Sequence, residues 1–245
     1  MIAYAPIHYL LLNDDDVFVM TSANLSDEPI VYQDEEAKSH LSTIADYILS
    51  HNRIIQTRVD DSVVRVFNDK QMLIRRSRGY APSPVLLKGD LISDIPVLAC
   101  GPELKNIFCM TKGQKAFLSQ HIGDLENMAV NNAYKNSIDL FKRLFTIKPK
   151  LIACDMHPEY FSTKFAKSYA QDNDLPLIQV QHHHAHIASV MAEHDLKGDV
   201  IGVSLDGTGF GDDGHIWGGE FFIANLSGYE RRGHFQYMPL PSGAK

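Results

Sequence analysis

The chain is short of cysteine, of positive charge and of long apolar runs. Cys100, Cys109 and Cys154 form an odd set with no short-spaced pair. That excludes a disulfide framework and a zinc–thiolate signature, and it fits a reducing compartment. No apolar run approaches 18 residues and nothing reads as a cleavable signal, so a soluble, cytoplasmic protein is the expectation. Lysine and arginine number 23 against 30 acidic residues, a formal net charge of -7. A general polyanion binder is thereby disfavoured, although a local basic patch is still compatible. What is present suffices for a globular protein. Of 245 residues, 44% are hydrophobic and 22% charged, enough to bury a core in one or two domains and too apolar for wholesale disorder.

The most unusual stretch is Gln181-His182-His183-His184-Ala185-His186. A helix starting here sets His182 and His186 one turn apart on one face, where two neutral imidazoles can share a metal ion. His183 and His184 point elsewhere and are candidates for a phosphate or another domain. The run follows the apolar Leu177-Ile178-Gln179-Val180, a strand candidate, and open α/β sheets place their chemistry at such strand ends. Asp206, at the end of the next strand candidate, is the third candidate ligand. Two imidazoles alone do not make a metal site, and a further carboxylate is wanted.

Upstream, Val17-Phe18-Val19-Met20 reads as a buried strand running into Thr21-Ser22-Ala23-Asn24-Leu25-Ser26. Small hydroxyl and amide residues there can serve a ligand loop, although composition alone favours a turn and a cap for the next helix. A helix is expected over roughly 35–50, striped by Ala37, Leu41, Ile44, Ala45 and Ile48. Arg58, Asp60, Asp61 and Arg65 suggest a charged turn between two strands, and Met72-Leu73-Ile74 another strand. It leads into Arg75-Arg76-Ser77-Arg78, whose guanidinium forks suit phosphate, with a solvated rim as the plain alternative. Residues 81–96 look like a domain junction.

Beyond it, Val97–Gly101, Asn106–Met110 and Ala116–Leu118 read as strands, the last two joined at Lys112-Gly113. This hairpin argues against a simple βαβ start. Ser119–Asp124 is a polar loop past a strand. Helices are expected over 131–145 and 162–172 and from the histidine run to about His194, with strands at Leu151–Cys154 and Val200–Leu205. Asp206-Gly207-Thr208-Gly209-Phe210-Gly211-Asp212-Asp213-Gly214 then reads as a turn, and Ile216–Ile223 as the returning strand. Its glycines let backbone amides approach an anion. It is neither a P-loop nor a dinucleotide fingerprint. A strand, glycine–acid turn and strand resembles the nucleotide-clasping hairpin of actin- and hexokinase-like folds, with a plain tight hairpin as the alternative.

Taken together, the motifs resemble the HypF family, the carbamoyltransferases of nickel–iron hydrogenase maturation. The resemblance rests on Met20–Ile30, on His51–Ile54 with Arg58–Val63, and on Arg75–Pro82, all similar to a YrdC-like domain. It continues through Leu98–Gly101, Phe117–Asp124, Val180–His186 and Asp206–Phe221, similar to a threonylcarbamoyl-transferase-like domain of ASKHA type. The implied fold class is α/β: a partial YrdC-like domain over 1–88, a linker over 89–96, and the N-terminal half of an ASKHA domain over 97–245. The resemblance implies ATP-dependent transfer of a carbamoyl group from carbamoyl phosphate, through carbamoyl-adenylate, to the C-terminal cysteine of a HypE-like thiol acceptor. It implies that His182, His186 and Asp206 hold a divalent ion (zinc, iron or magnesium). Gly207, Thr208 and Gly209 would contact nucleotide phosphate, and Ser22, Asn24, Arg58 and Arg76 would belong to the adenylate-forming site. No catalytic side chain is assigned.

Against the family pattern, the acylphosphatase-like and zinc-finger-like segments, the first half of the YrdC-like domain and the last half of the ASKHA domain are lacking. The expectation is an internal fragment or one piece of a split protein, whose open edges would invite self-association. Two other readings compete. One is the tRNA threonylcarbamoyladenosine-type transferase, which uses the same domain types. The other is a nucleotide- or partner-binding fragment without activity of its own.

Overall fold

The computed structural model describes residues 5–25 and 29–237. It divides into two units, 1–58 and 59–245. The first unit carries two short helices, α1 (Pro6–Leu11) and α2 (Asp34–His40). Two expectations fail here. Val17–Met20 is not a strand: no described segment pairs with it, and Val17 and Val19 are 91% and 99% exposed. A β-branched run without a ladder partner has no backbone bonds to hold it extended. The helix predicted to reach residue 50 stops at His40. The Ser39 hydroxyl donates back to the carbonyls of Glu35 and Glu36, competing with the helix ladder. Of the predicted stripe only Leu41 is buried, so Ile44 and Ile48 have no packing to hold a longer helix. Ser26, at the end of the predicted loop, lies outside the described residues.

The second unit opens with a hairpin, β1 (Val63–Phe67) and β2 (Lys70–Arg75). Its turn is Asn68-Asp69, both at positive φ, rather than the charged stretch around Arg58–Arg65. Asparagine and aspartate tolerate that conformation, and a two-residue turn of this hand matches the twist of the strands. Within the predicted junction, β3 (Val85–Leu86) pairs antiparallel with β6 (Lys115–Leu118). The main sheet also contains β4 (Val97–Ala99), β5 (Cys109–Lys112), β7 (Leu151–Asp155) and β8 (Leu177–Val180), in the order β3-β6-β5-β4-β7-β8. β4, β7 and β8 are parallel; the helix α3 (Met128–Leu144) leads from β6 to β7, and α4 (Phe161–Asp172) crosses over from β7 to β8.

The core lies between this sheet and its helices. Leu98, Phe108, Met110, Tyr134, Ile138, Ile152 and Ala166 are fully buried or nearly so. Phe108 meets Tyr134 and Phe141 edge to face at 5.9 and 5.0 Å. Two polar groups shape the loop after β4. The Tyr134 hydroxyl donates to the Cys100 carbonyl at 2.8 Å, and the buried Asn106 amide donates to Cys100 and Pro102 carbonyls at 3.0 and 2.6 Å. Gly101 sits in that loop at φ 71°, where an added Cβ would meet the Ile107 carbonyl at 2.4 Å. The close backbone approach there requires glycine.

Next comes α5 (His182–His194), followed by β9 (Val200–Phe210), β10 (Ile216–Asn225) and β11 (Gly228–His234). These strands form a second antiparallel sheet in the order β11-β10-β9. The face of α5 at His183, Ile187 and Met191, four residues apart, packs toward Trp217, Phe222 and Ala224. The helix therefore starts beside the C-terminal ends of β7 and β8 while lying against the second sheet.

Candidate metal centre

Gln181 caps α5. Its side-chain oxygen accepts the His184 amide at 3.0 Å, and its nitrogen donates to the Phe210 carbonyl at 3.2 Å and to His183 Nδ1 at 3.0 Å. This one buried side chain satisfies an orphan amide of the first turn and ties that turn to the end of β9. The four histidines then separate. His183 is fully buried beside Trp217, and burial lowers its pKa. His184 Nε2 donates to the Asn225 carbonyl at 2.8 Å and its ring lies beside Tyr229. Both bind α5 to the second sheet. Of the partners expected for them, a phosphate or another domain, the fold supplies Trp217, Asn225 and Tyr229 of the second sheet.

His182 and His186 share the remaining face, their Nε2 atoms 3.2 Å apart. Asp206, in the middle of β9, brings Oδ2 to 2.9 Å from His182 Nε2 and 3.2 Å from His186 Nε2. The three candidate ligand atoms lie within 4.8 Å of one another. Asp206 Oδ1 accepts the Gly207 amide at 2.7 Å. Burial opposes ionisation of Asp206, but that amide and the nearby imidazoles outweigh it and lower its pKa.

Asp155, the last residue of β7, was given no role in the sequence reading. Its Oδ2 lies 2.8 Å from His182 Nδ1, and its side chain is 6% exposed. Asp155 pairs with Val180 across the parallel strands, two residues before His182. The signal was available: a carboxylate ending the strand that precedes the histidine strand in a βαβ pattern. The Asp155 hydrogen bond is the main reason the His182 pKa is raised, against the opposing effect of burial.

The residues fit a divalent cation. An ionised carboxylate only accepts, so a neutral His182 that donates from Nδ1 to Asp155 leaves its Nε2 unprotonated. That lone pair faces His186 Nε2 and an Asp206 oxygen that is buried without a hydrogen bond among the described residues. Three converging electron pairs repel unless a cation or proton lies between them. A set of two imidazoles and one carboxylate with open positions suits zinc or iron better than magnesium.

A cavity of about 270 Å³ adjoins the triad. Ala99, Gly101, Ala153, Val180 and Ala185 wall it, and Asp155, His182 and His186 supply its polar end. It opens at the C-terminal ends of the parallel strands, the expected location.

The other predicted site residues are more scattered. Ser22 and Asn24 share a bend in the first unit, where the Asn24 amide nitrogen of the side chain donates to the Leu25 carbonyl at 2.9 Å. Arg58 closes that unit, and Arg76 belongs to the second. The Arg76 guanidinium donates to the Ser83 carbonyl, and its main-chain carbonyl accepts the His121 amide at 3.2 Å. Gly207, Thr208 and Gly209 lie within β9 rather than in a turn. The turn is Gly211–Gly214, closed by the Gly214 amide on the Gly211 carbonyl at 3.0 Å, because the ladder to β10 extends to Phe210–Ile216. Gly209 is the point where β9 passes His183: an added Cβ would lie 2.3 Å from the His183 ring.

The sheets, the helical crossovers and the histidine helix between them define a Kae1-like, ASKHA-type protein preceded by a YrdC-like segment. Family models agree along the chain. The HypF Kae1-like domain matches residues 93–193, and the second subdomain of the carbamoyltransferase Kae1-like domain matches 202–245. The Sua5–YciO–YrdC model, described as telomere recombination, matches 1–77. The chain belongs to the HypF family. It is 42% identical to carbamoyltransferase HypF of Rhizobium leguminosarum bv. viciae over 99% of its length, and 41% identical to that of Synechocystis over 98%. It resembles a crystal structure of full-length HypF in a phosphate- and nucleotide-bound form, with TM-score 0.86 and 51% identity over 94% of this chain and 36% of that one. For HypF of T. kodakarensis the values are 0.81 and 43%, over 91% and 29%. The chain spans about a third of the length of these curated relatives, 32% and 31%. Among the described residues no helix is long and apolar enough to cross a membrane.

Proposed function

We propose that this chain supplies the metal-bearing part of an ATP-dependent carbamoyltransferase. In the whole enzyme, carbamate from carbamoyl phosphate attacks the α-phosphorus of ATP, giving carbamoyl-adenylate and releasing pyrophosphate. The thiolate of a HypE-like acceptor then attacks the carbamoyl carbon, forming a thiocarbamate and expelling AMP. The observation that carries this reading is the His182–His186–Asp206 triad at the mouth of a mostly apolar cavity, in a chain of this family.

A bound divalent ion would supply Lewis acidity toward a carbonyl or phosphate oxygen. His182, His186 and Asp206 would hold it. The apolar walls at Ala99, Ala153, Val180 and Ala185 would exclude water, as a water-labile adenylate requires. The chain's own thiols support an external acceptor. Burial pushes Cys100 and Cys109 up to about 12 and Cys154 up to about 11, so none is a ready thiolate at neutral pH. Gly207, Thr208 and Gly209 would contact nucleotide phosphate, and Ser22, Asn24, Arg58 and Arg76 would serve adenylate formation.

The test supplies the chain with ATP, labelled carbamoyl phosphate, a HypE-like acceptor and the segments that complete the length of its relatives. Label is expected on the acceptor cysteine, reduced to background by His182→Ala. Transfer undiminished in that variant would sink the assignment.

A further inference from the structure

Strand β7 delivers a carboxylate to the back of the candidate metal ligand His182, and that carboxylate is itself held rigidly. Asp155 Oδ1 accepts the His157 amide at 2.8 Å, and the Asp155 main-chain carbonyl accepts the Thr163 hydroxyl at 3.1 Å. Thr163 is fully buried on α4, and the Asp155 side chain is 6% exposed. Oδ2 is thereby aimed at His182 Nδ1, 2.8 Å away. By contrast, the His186 side chain is 58% exposed. The two imidazoles of the triad are thus held unequally: one is clamped through its far nitrogen and the other faces solvent.

We infer that Asp155 is the positioning residue of this centre: it keeps the His182 proton on Nδ1 and turns the Nε2 lone pair toward the space shared with His186 and Asp206. The inference rests on the reading of His182, His186 and Asp206 as the ligand set, and it adds a fourth residue that does not touch the ion. Three features of the fold produce it. The parallel register places Asp155 beside Val180. The Gln181 cap starts α5 at once, so His182 stands in its first turn. The Thr163 hydroxyl fixes the main chain at Asp155, and the His157 amide on Oδ1 restricts the rotation that an aspartate at a strand end would otherwise have. An imidazole fixed in this way loses less freedom on binding, and the carboxylate increases the basicity of the ligating nitrogen. Asp155 is nearly buried in the wall of the cavity beside His182, and the low local dielectric there strengthens the interaction.

The experiment compares the 245-residue chain with Asp155→Asn and Asp155→Ala. Two quantities are read: the His182 tautomer in metal-free protein, by nitrogen-15 imidazole spectra, and zinc affinity, by competition with a chromophoric chelator. The unaltered chain is expected to show Nδ1–H at His182. Asp155→Ala is expected to lose that signature and to weaken zinc binding by about 10–100-fold. Asp155→Asn retains an acceptor oxygen without the charge, and is expected to keep the tautomer and bind zinc with intermediate affinity. Should Asp155→Ala fail to fold, Asp155→Asn decides: zinc affinity equal to that of the unaltered chain overturns the proposal. An Nε2–H tautomer in the unaltered chain also overturns it. A chain that binds no zinc yet shows Asp155-dependent Nδ1–H refutes the metal reading while leaving the tautomer control standing.

Discussion

His182 and His186 are chemically identical and one helical turn apart, yet the fold holds them differently. His182 is 16% exposed and hydrogen-bonded to Asp155, whereas His186 is 58% exposed. Their removal should therefore differ in stability although both abolish tight metal binding. His182→Ala leaves the Asp155 carboxylate buried without its imidazole, a cost of about 1–3 kcal/mol. His186→Ala removes a surface side chain and should stay within about 0.5 kcal/mol of the unaltered chain in metal-free protein. Urea denaturation in the presence of chelator measures this, and equal midpoints for the two variants would refute the asymmetry. Sequence spacing placed the two on one helical face. It could not separate these two from His183 and His184 by environment, because burial depends on the second sheet, which is built from residues 200–234.

At the scale of elements, the site depends on how closely β9 passes α5. Gly209 allows the His183 ring to lie against the strand, and Gln181 bonds the strand end at Phe210. Gly209→Ala would place a methyl group 2.3 Å from a fully buried ring. It is expected to destabilise the chain by about 1–3 kcal/mol through overpacking and to weaken zinc binding by displacing the first turn of α5. An unchanged melting midpoint with full zinc affinity would show that the contact yields without consequence. The sequence reading placed Gly207, Thr208 and Gly209 in a turn because glycine and aspartate are common there. The ladder with β10 overrides that local preference, pairing Trp217 with Gly209. The first unit shows the reverse. Val17–Met20 has strong strand propensity but no described partner, and it remains coil.

For the molecule as a whole, β9 is the edge of its sheet, and Ile201, Val203 and Leu205 on one of its faces are 79%, 52% and 71% exposed. Long apolar edges pair with other chains. Sedimentation velocity is expected to show concentration-dependent association of this chain, shifted toward monomer by Val203→Lys. Sedimentation independent of concentration in the unaltered chain would contradict this.

The α/β class, the hairpin of β5 and β6, the crossover helices and the placing of His182 and His186 on one helical face could all be read from the residues. Each depends on local periodicity or on side chains within one helical turn. The family resemblance, carried by motifs spread along the chain, agrees with its HypF membership. Asp155, the Gln181 clasp and the cavity could not be read in this way. They arise where segments distant in the sequence meet: β4 and β7 beside the start of α5, and β9 across it. That convergence depends on parallel register and on helix–sheet packing, which no local pattern encodes. The length of the helix after Asp34 was likewise misjudged, because an apolar stripe stabilises a helix only when another surface covers it.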